Sequence, residues 1–136
     1  MASLPEKYLA CVLDGPGKPW ALRHVPLEMP QDHQVLIKVE CCGLCHTDLS
    51  TQAGHLGSKV SWPTIPGHEI VGSVVAIGQG VTQFVAGDRV GGTWHGGHDG
   101  TCRQCCEGAP QGCENQIING VSKPGGCKSL NKKLQA

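Results

Sequence analysis

The sequence predicts a small, mainly β domain, a mostly antiparallel and partly open barrel with long loops. Three observations carry that expectation. Twenty glycines and nine prolines in 136 residues call for many turns and short strands rather than long helices. Aromatic residues make up only 4% of the chain, so the core has to be aliphatic, chiefly Val, Ile and Leu. Residues 34–40 alternate, with Val35, Ile37 and Val39 on one face and Gln34, Leu36 and Lys38 on the other. The length suits one domain with a single modest core.

Taken in order, residues 8–14 read as a first strand, ended by Gly15-Pro16-Gly17. Residues 21–26 read as its hairpin partner, because Pro26 and Pro30 then interrupt regular structure. The alternating strand 34–40 runs into Cys41-Cys42-Gly43-Leu44-Cys45, which sets thiols at its end. A short helix is expected over 47–53 with Thr47 as its cap, followed by loop over 54–66. Next, Pro66-Gly67-His68-Glu69 places a His-Glu pair between a turn and the near-continuous apolar strand 70–77, at a strand mouth. Gly78-Gln79-Gly80 is a turn, since no third Gly follows at the spacing of a dinucleotide loop. Gly87-Asp88-Arg89-Val90 turns into a further strand. From 91 to 113 the chain is rich in Gly and Cys without periodicity, so some cross-link other than a core must hold it.

Eleven acidic residues balance eleven Lys plus Arg, which gives no general attraction to nucleic acid or to an anionic membrane. The first residues lack an apolar signal core and no apolar run approaches membrane-spanning length, so a cytoplasmic chain is the default. Nine cysteines, an odd number, fit metal binding better than a disulfide framework in that setting. Cys45 and His68 offer a thiolate and an imidazole from two strand ends, which suits an open zinc site better than a closed one. A buried thiol and a core histidine are the bland alternative. Asp99-x2-Cys102-x2-Cys105-x7-Cys113 has the short loop spacing of a structural tetrahedral zinc site. A redox Cys pair is the alternative there, and Cys113 in its place argues against it.

The run Gly67-His68-Glu69, with Gly72, Gly78 and Val81 behind it, resembles the zinc signature of the zinc-dependent medium-chain alcohol dehydrogenases. Cys45-His46-Thr47-Asp48-Leu49 and Gly87-Asp88-Arg89-Val90 resemble that family's flanking motifs in order and spacing. The resemblance covers residues 8–126 and is closest to fungal and bacterial members with a Gly-His-Asp-Gly-Thr-Cys segment, here 97–102. It implies a GroES-like barrel with a short zinc-binding lobe. It also implies oxidation of a small primary or secondary alcohol to an aldehyde or ketone, with hydride passing to NAD or NADP, in a homo-oligomer.

Carried over by position, Cys45 and His68 would be two of three protein ligands of the catalytic zinc, with Glu69 close behind the metal. Thr47 would offer its hydroxyl to the alcohol and take its proton. Asp48 would hold the far nitrogen of His68. His46 would touch the cofactor pyrophosphate, and Trp94 would line the substrate pocket or pack the barrel. In the lobe, the family has four Cys, and Asp99 stands at the first of those positions, ahead of Cys102, Cys105 and Cys113. Asp99 is favoured by spacing over its softer neighbour His98, and Cys106 is then a spare thiol. Cys41 and Cys42 read as buried small hydrophobes. One departure is Ser50, where many relatives have a proton-relaying His, so a relay would run through Ser50 or water. His55 reads as a loop residue.

The resemblance implies a Rossmann domain, yet no G-x-G-x-x-G follows a strand anywhere in the chain. Residues 1–126 therefore read as the catalytic barrel, incomplete at its C-terminal end, and 127–136 as a divergent basic tail. Four of the eight Lys fall from Lys123 onward, with no acid after Glu114. Such a change of character suggests a truncated gene model or early stop, with a genuine basic binding tail as the alternative. The third ligand of the catalytic zinc would be missing, and nothing in the motif recommends Cys127 as a stand-in. The isolated chain is then expected to be a poor or null dehydrogenase. The competing function is a non-catalytic zinc-binding domain that pairs with or regulates full-length subunits. A co-chaperonin-like barrel would need neither Cys45 nor His68, and a nucleic-acid-reading zinc ribbon would want more than Arg103 against Asp99 and Glu107.

Overall fold

The computed structural model describes residues 4–135, and over 130–135 it describes the backbone alone. Strands β1 (Lys7–Val12) and β2 (Ala21–Pro26) form an antiparallel hairpin in which Lys7 faces Pro26 and Val12 faces Ala21. A two-pronged Arg23–Asp14 pair braces its connection, with Nη1 donating to Oδ1 at 2.7 Å. Strand β3 (Gln34–Gly43) follows, then helix α1 (His46–Ala53), β4 (Glu69–Ile77) and β5 (Arg89–Gly92). The remaining elements are β6 (His95–Gly97), the short α2 (Arg103–Cys106), β7 (Ile117–Ile118) and β8 (Leu130–Gln135). The main sheet has the order β5-β4-β3-β8, and β6 pairs with β7 as a small ribbon at the root of the Cys-rich lobe. Each pairing of these strands is antiparallel, and the described residues contain no parallel βαβ unit. The architecture is the expected one, mainly β and open. No helix among the described residues is long and apolar enough to cross a membrane.

β3 is longer than alternation suggests because Cys41, Cys42 and Gly43 continue the ladder opposite Val71, Ile70 and Glu69 of β4. Leu36, assigned to the outer face, is as fully buried as Val35 and Ile37, so both faces of β3 are covered where it starts. Val35 and Ile37 pack with Val74 and Val90, with Val81 and Phe84 leaning on the group. A second cluster joins Ala10, Val12 and Ile65, flanked by Tyr8, Val25 and Cys127. Cys41 contradicts its assignment as a buried hydrophobe. It is exposed, and Cys42 is half-buried.

α1 starts one residue earlier than expected, and its cap is Cys45, not Thr47. Its first turn is held from within, because Asp48 Oδ2 accepts the Cys45 backbone N–H at 3.0 Å. The loop after it contains a single 3-10 turn over Gly57–Lys59. Packing continues past Gly126. Cys127 N–H donates to Pro66 O at 2.9 Å, and Cys127 O accepts from Cys11 N–H at 2.9 Å. Ser129 N–H donates to Leu9 O at 2.9 Å, and its own carbonyl accepts from Val39 N–H at 3.1 Å. Residues 127–129 are therefore the seam between the β1–β2 hairpin and the main sheet, and the backbone runs on from them as β8.

Candidate metal centres

The end of β3, the start of α1 and the start of β4 meet at one mouth. There the donor atoms of Cys45, His68 and Glu69 lie within 4.8 Å of one another. Cys45 is half-buried, His68 buried and Glu69 exposed, so the cluster is anchored on one side and open on the other. The close approach depends on two glycines. A Cβ at Gly43 would stand 2.0 Å from Glu69 Oε2, so only Gly leaves room for that carboxylate. Gly67 has φ 99°, a conformation that L side chains rarely adopt, and it turns the chain so that His68 points inward.

Asp48 ties the two ligand-bearing segments together. Its carboxylate is 1% exposed and accepts from Cys45 N–H at 3.0 Å and from Gly67 N–H at 2.8 Å. It therefore holds the residue that carries the thiol and the residue just before the imidazole. Its Oδ1 is 3.8 Å from His68 Nδ1, beyond hydrogen-bond range. His68 Nδ1 is buried without a partner. A thiol, a carboxylate and an imidazole with an orphaned buried nitrogen form a donor set that fits zinc. Trp94 packs perpendicular to the His68 ring, with centroids 5.1 Å apart. Thr47 Oγ1 lies 3.7 Å from Cys45 Sγ on the same mouth. His46 is exposed at the start of α1, and Ser50 is half-buried one turn further on. His55 is exposed beyond the helix end. Cys127 does not join this cluster; its sulfur neighbours Cys42 at 3.9 Å.

The second cluster is the lobe. The donor atoms of Asp99, Cys102, Cys105 and Cys113 also lie within 4.8 Å of one another. Asp99 Oδ1 accepts from Cys102 N–H at 3.0 Å and from Thr101 N–H at 2.8 Å, while Oδ2 accepts from Asn115 Nδ2 at 2.7 Å. The Cys102 N–H, then Thr101 and Asn115, hold the Asp99 carboxyl well below the usual carboxylate range. Cys113 Sγ accepts from Asn115 N–H at 3.3 Å and from Asp99 N–H at 3.5 Å. Desolvation, followed by the Cys102 hydrogen bond, pushes Cys105 up to about 12. The Cys105 backbone N–H, by contrast, draws Cys102 down. Three sulfurs and an ionised, oriented carboxylate, ringed by N–H donors, fit a closed four-coordinate zinc. His98 stands outside this quartet, stacked on His95 with Nδ1 3.1 Å from His95 Nε2. Cys106 is exposed and donates to Thr101 O at 3.5 Å.

Sequence spacing missed Gly43, Asn115 and the backbone bonds of Asp48. Nothing in the spacing signals Asn115. The glycine directly before Leu44-Cys45 is the one hint that a side chain must pass close by.

Residues 31–131 match the family model of the alcohol dehydrogenase GroES-like domain. The chain belongs to this family. Alcohol dehydrogenase patD of Penicillium expansum is 44% identical over 125 residues, covering 92% of the chain and 36% of that protein. An alcohol dehydrogenase of Geobacillus stearothermophilus is 38% identical over 117 residues, covering 86% of the chain and 34% of that protein. The chain thus spans about a third of the length of such relatives. Among solved structures, the cobalt- and zinc-bound thermostable alcohol dehydrogenase of Pyrobaculum aerophilum matches with TM-score 0.84 and 32% identity. That match covers 96% of the chain and 39% of that protein. A zinc-binding dehydrogenase of Sinorhizobium meliloti 1021 with bound NADP matches with TM-score 0.88 and 29% identity, covering 96% of the chain and 37% of that protein. The alcohol dehydrogenase GroES-like fold thus accounts for the open barrel, with one cluster at the mouth where β3, α1 and β4 meet and the other in the Cys-rich lobe.

Proposed function

We propose that this chain is the N-terminal zinc-binding domain of an NAD(P)-dependent alcohol dehydrogenase that oxidises a small primary or secondary alcohol to an aldehyde or ketone. The observation that carries the reading is the convergence of Cys45, His68 and Glu69 within 4.8 Å at an open mouth. Cys45 and His68 are the ligands, and Glu69 is held behind them by the space at Gly43. Zinc held there supplies a Lewis acid that makes the alcohol hydroxyl more acidic. Thr47 takes that hydroxyl's proton, and Ser50 or water passes it outward. Asp48 keeps both ligand segments in register. His46, exposed at the start of α1, is free to meet a cofactor pyrophosphate. Asp99, Cys102, Cys105 and Cys113 hold a second zinc that staples the coreless lobe and takes no part in the chemistry. The zinc and NADP bound by the similar solved enzymes support this cofactor set. We read the intact enzyme as a cytoplasmic homo-oligomer.

The described residues carry no dinucleotide-binding unit, so hydride transfer requires one from further sequence. The test has two arms. The 136-residue chain should bind two zinc ions by elemental analysis and show no NAD(P)-linked alcohol oxidation alone. Joined to the remainder of the Penicillium relative, it should oxidise alcohols, and Cys45→Ser in that chimera should abolish turnover. A folded, fully zinc-loaded chimera without activity would refute the catalytic reading. Inhibition of an intact relative on co-expression would then favour a non-catalytic regulatory domain.

A further inference from the structure

Of the nine free thiols, five lie outside both metal clusters: Cys11, Cys41, Cys42, Cys106 and Cys127. Two of these five meet. Cys127 Sγ donates to Cys42 Sγ at 3.9 Å, across a separation of 85 residues. Each is half-buried. Both sulfurs rest on the bare backbone of Gly67, where a Cβ would stand 2.6 Å from Cys42 Sγ and 2.8 Å from Cys127 Sγ. Both main chains are held. Cys42 sits in the β3–β4 ladder opposite Ile70, and Cys127 bonds to Pro66 O and to Cys11 N–H at 2.9 Å each. The 3.9 Å between the sulfurs is about 1.9 Å more than the bonded separation of about 2.05 Å.

We propose that Cys42 and Cys127 form a redox-sensitive dithiol site that an oxidant of the peroxide class closes into a disulfide. One sulfur, as its thiolate, attacks a peroxide oxygen; the O–O bond breaks, a sulfenic acid forms and the first water leaves. The second sulfur attacks that sulfenic sulfur, the S–S bond forms, and the hydroxyl departs as a second water. The two thiols lose two electrons and two protons, and hydrogen peroxide is reduced to two waters. The new bond closes a loop that contains α1 and both metal clusters, and it fixes the seam at Gly67 next to His68. This inference does not depend on the proposed dehydrogenase function.

The experiment uses the full chain loaded with zinc, so that the lobe thiols are engaged, and treats it with stoichiometric hydrogen peroxide. Intact mass should fall by about 2 Da, reversibly with dithiothreitol, and the accessible thiol count should drop by two. Non-reducing peptide maps should join the Cys42 and Cys127 peptides, with zinc content unchanged. Cys127→Ser should prevent the mass loss, whereas Cys11→Ser should leave it intact. An unchanged mass, oxygen adducts without a cross-link, or pairing of Cys102 with Cys105 accompanied by zinc loss would each overturn the proposal. Should Cys127→Ser fail to fold, the peptide map of the parent chain decides the matter alone.

Discussion

Removing the Asp48 carboxylate should loosen both ligand segments at once. Two charge-assisted bonds are at stake, to Cys45 N–H at 3.0 Å and to Gly67 N–H at 2.8 Å, on a side chain 1% exposed. Each such bond contributes about 1.5–3 kcal/mol, so the gross loss in Asp48→Ala is roughly 3–6 kcal/mol. Removing a buried charge and admitting water recover part of this, leaving a net destabilisation of about 2–4 kcal/mol. Asp48→Asn sharpens the test because it keeps the volume. Its single carbonyl can serve one N–H, while its amide presents hydrogens to the other. It should therefore cost about 1.5–3 kcal/mol although it is nearly isosteric. The assay is urea unfolding of the zinc-saturated chain, with zinc release to a chromogenic chelator followed in parallel. Affinity at the open site should fall about 10- to 100-fold in either variant. An Asn variant within about 0.5 kcal/mol of the parent would show that Asp48 acts by filling space, and the argument would fail.

Three further outcomes follow from the two clusters. Cys113→Ser should lose the tightly held zinc and lower the melting temperature, measured by calorimetry with metal analysis; an unchanged melt at full metal content would refute the staple role. Cys45→Ser should weaken only the looser site and leave the fold standing by circular dichroism, and unfolding of the domain would rule out an open site. Gly43→Ala should displace Glu69, since the new methyl would sit 2.0 Å from Oε2. Its melting temperature should fall by several degrees, for an overpacking cost of about 1–3 kcal/mol, and an unperturbed melt would mean that the carboxylate simply swings away.

The barrel was legible where local chemistry and tertiary packing agree. Strand 21–26 is bounded by its prolines and appears with those limits, and the alternating face of 34–40 is the face that packs on Val74 and Val90. The convergence of Cys45, His68 and Glu69, and of Asp99 with Cys102, Cys105 and Cys113, was legible because donor residue types stand at two strand ends in the one case and at short loop spacing in the other. The start of α1 was not, because the stabilising group is Asp48 inside the first turn rather than a hydroxyl at the cap. Cys41 misled because its residue type suggests burial, while its place on β3 turns it outward. Residues 127–136 read as a divergent basic tail because lysines fall there without a balancing acid, and composition does not register the backbone pairing of 130–135 with β3.

The seam at 127–129 has a consequence for how the protein comes into being on the ribosome. Ser129 is bonded to Leu9 across 120 residues, and Cys127 to Cys11, so β1 gains this neighbour only after residues 127–129 have been synthesised. Until then Ala10 and Val12 wait without the backbone that later docks against β1. A contact of such long sequence separation places barrel closure late and makes it slow relative to the local β3–β4 pairing. A nascent chain stalled before residue 127 should therefore hold a formed β3–β4 ladder and an amino-terminal hairpin that meets Thr64 and Ile65 but lacks the 127–129 seam, a natural substrate for a holding chaperone.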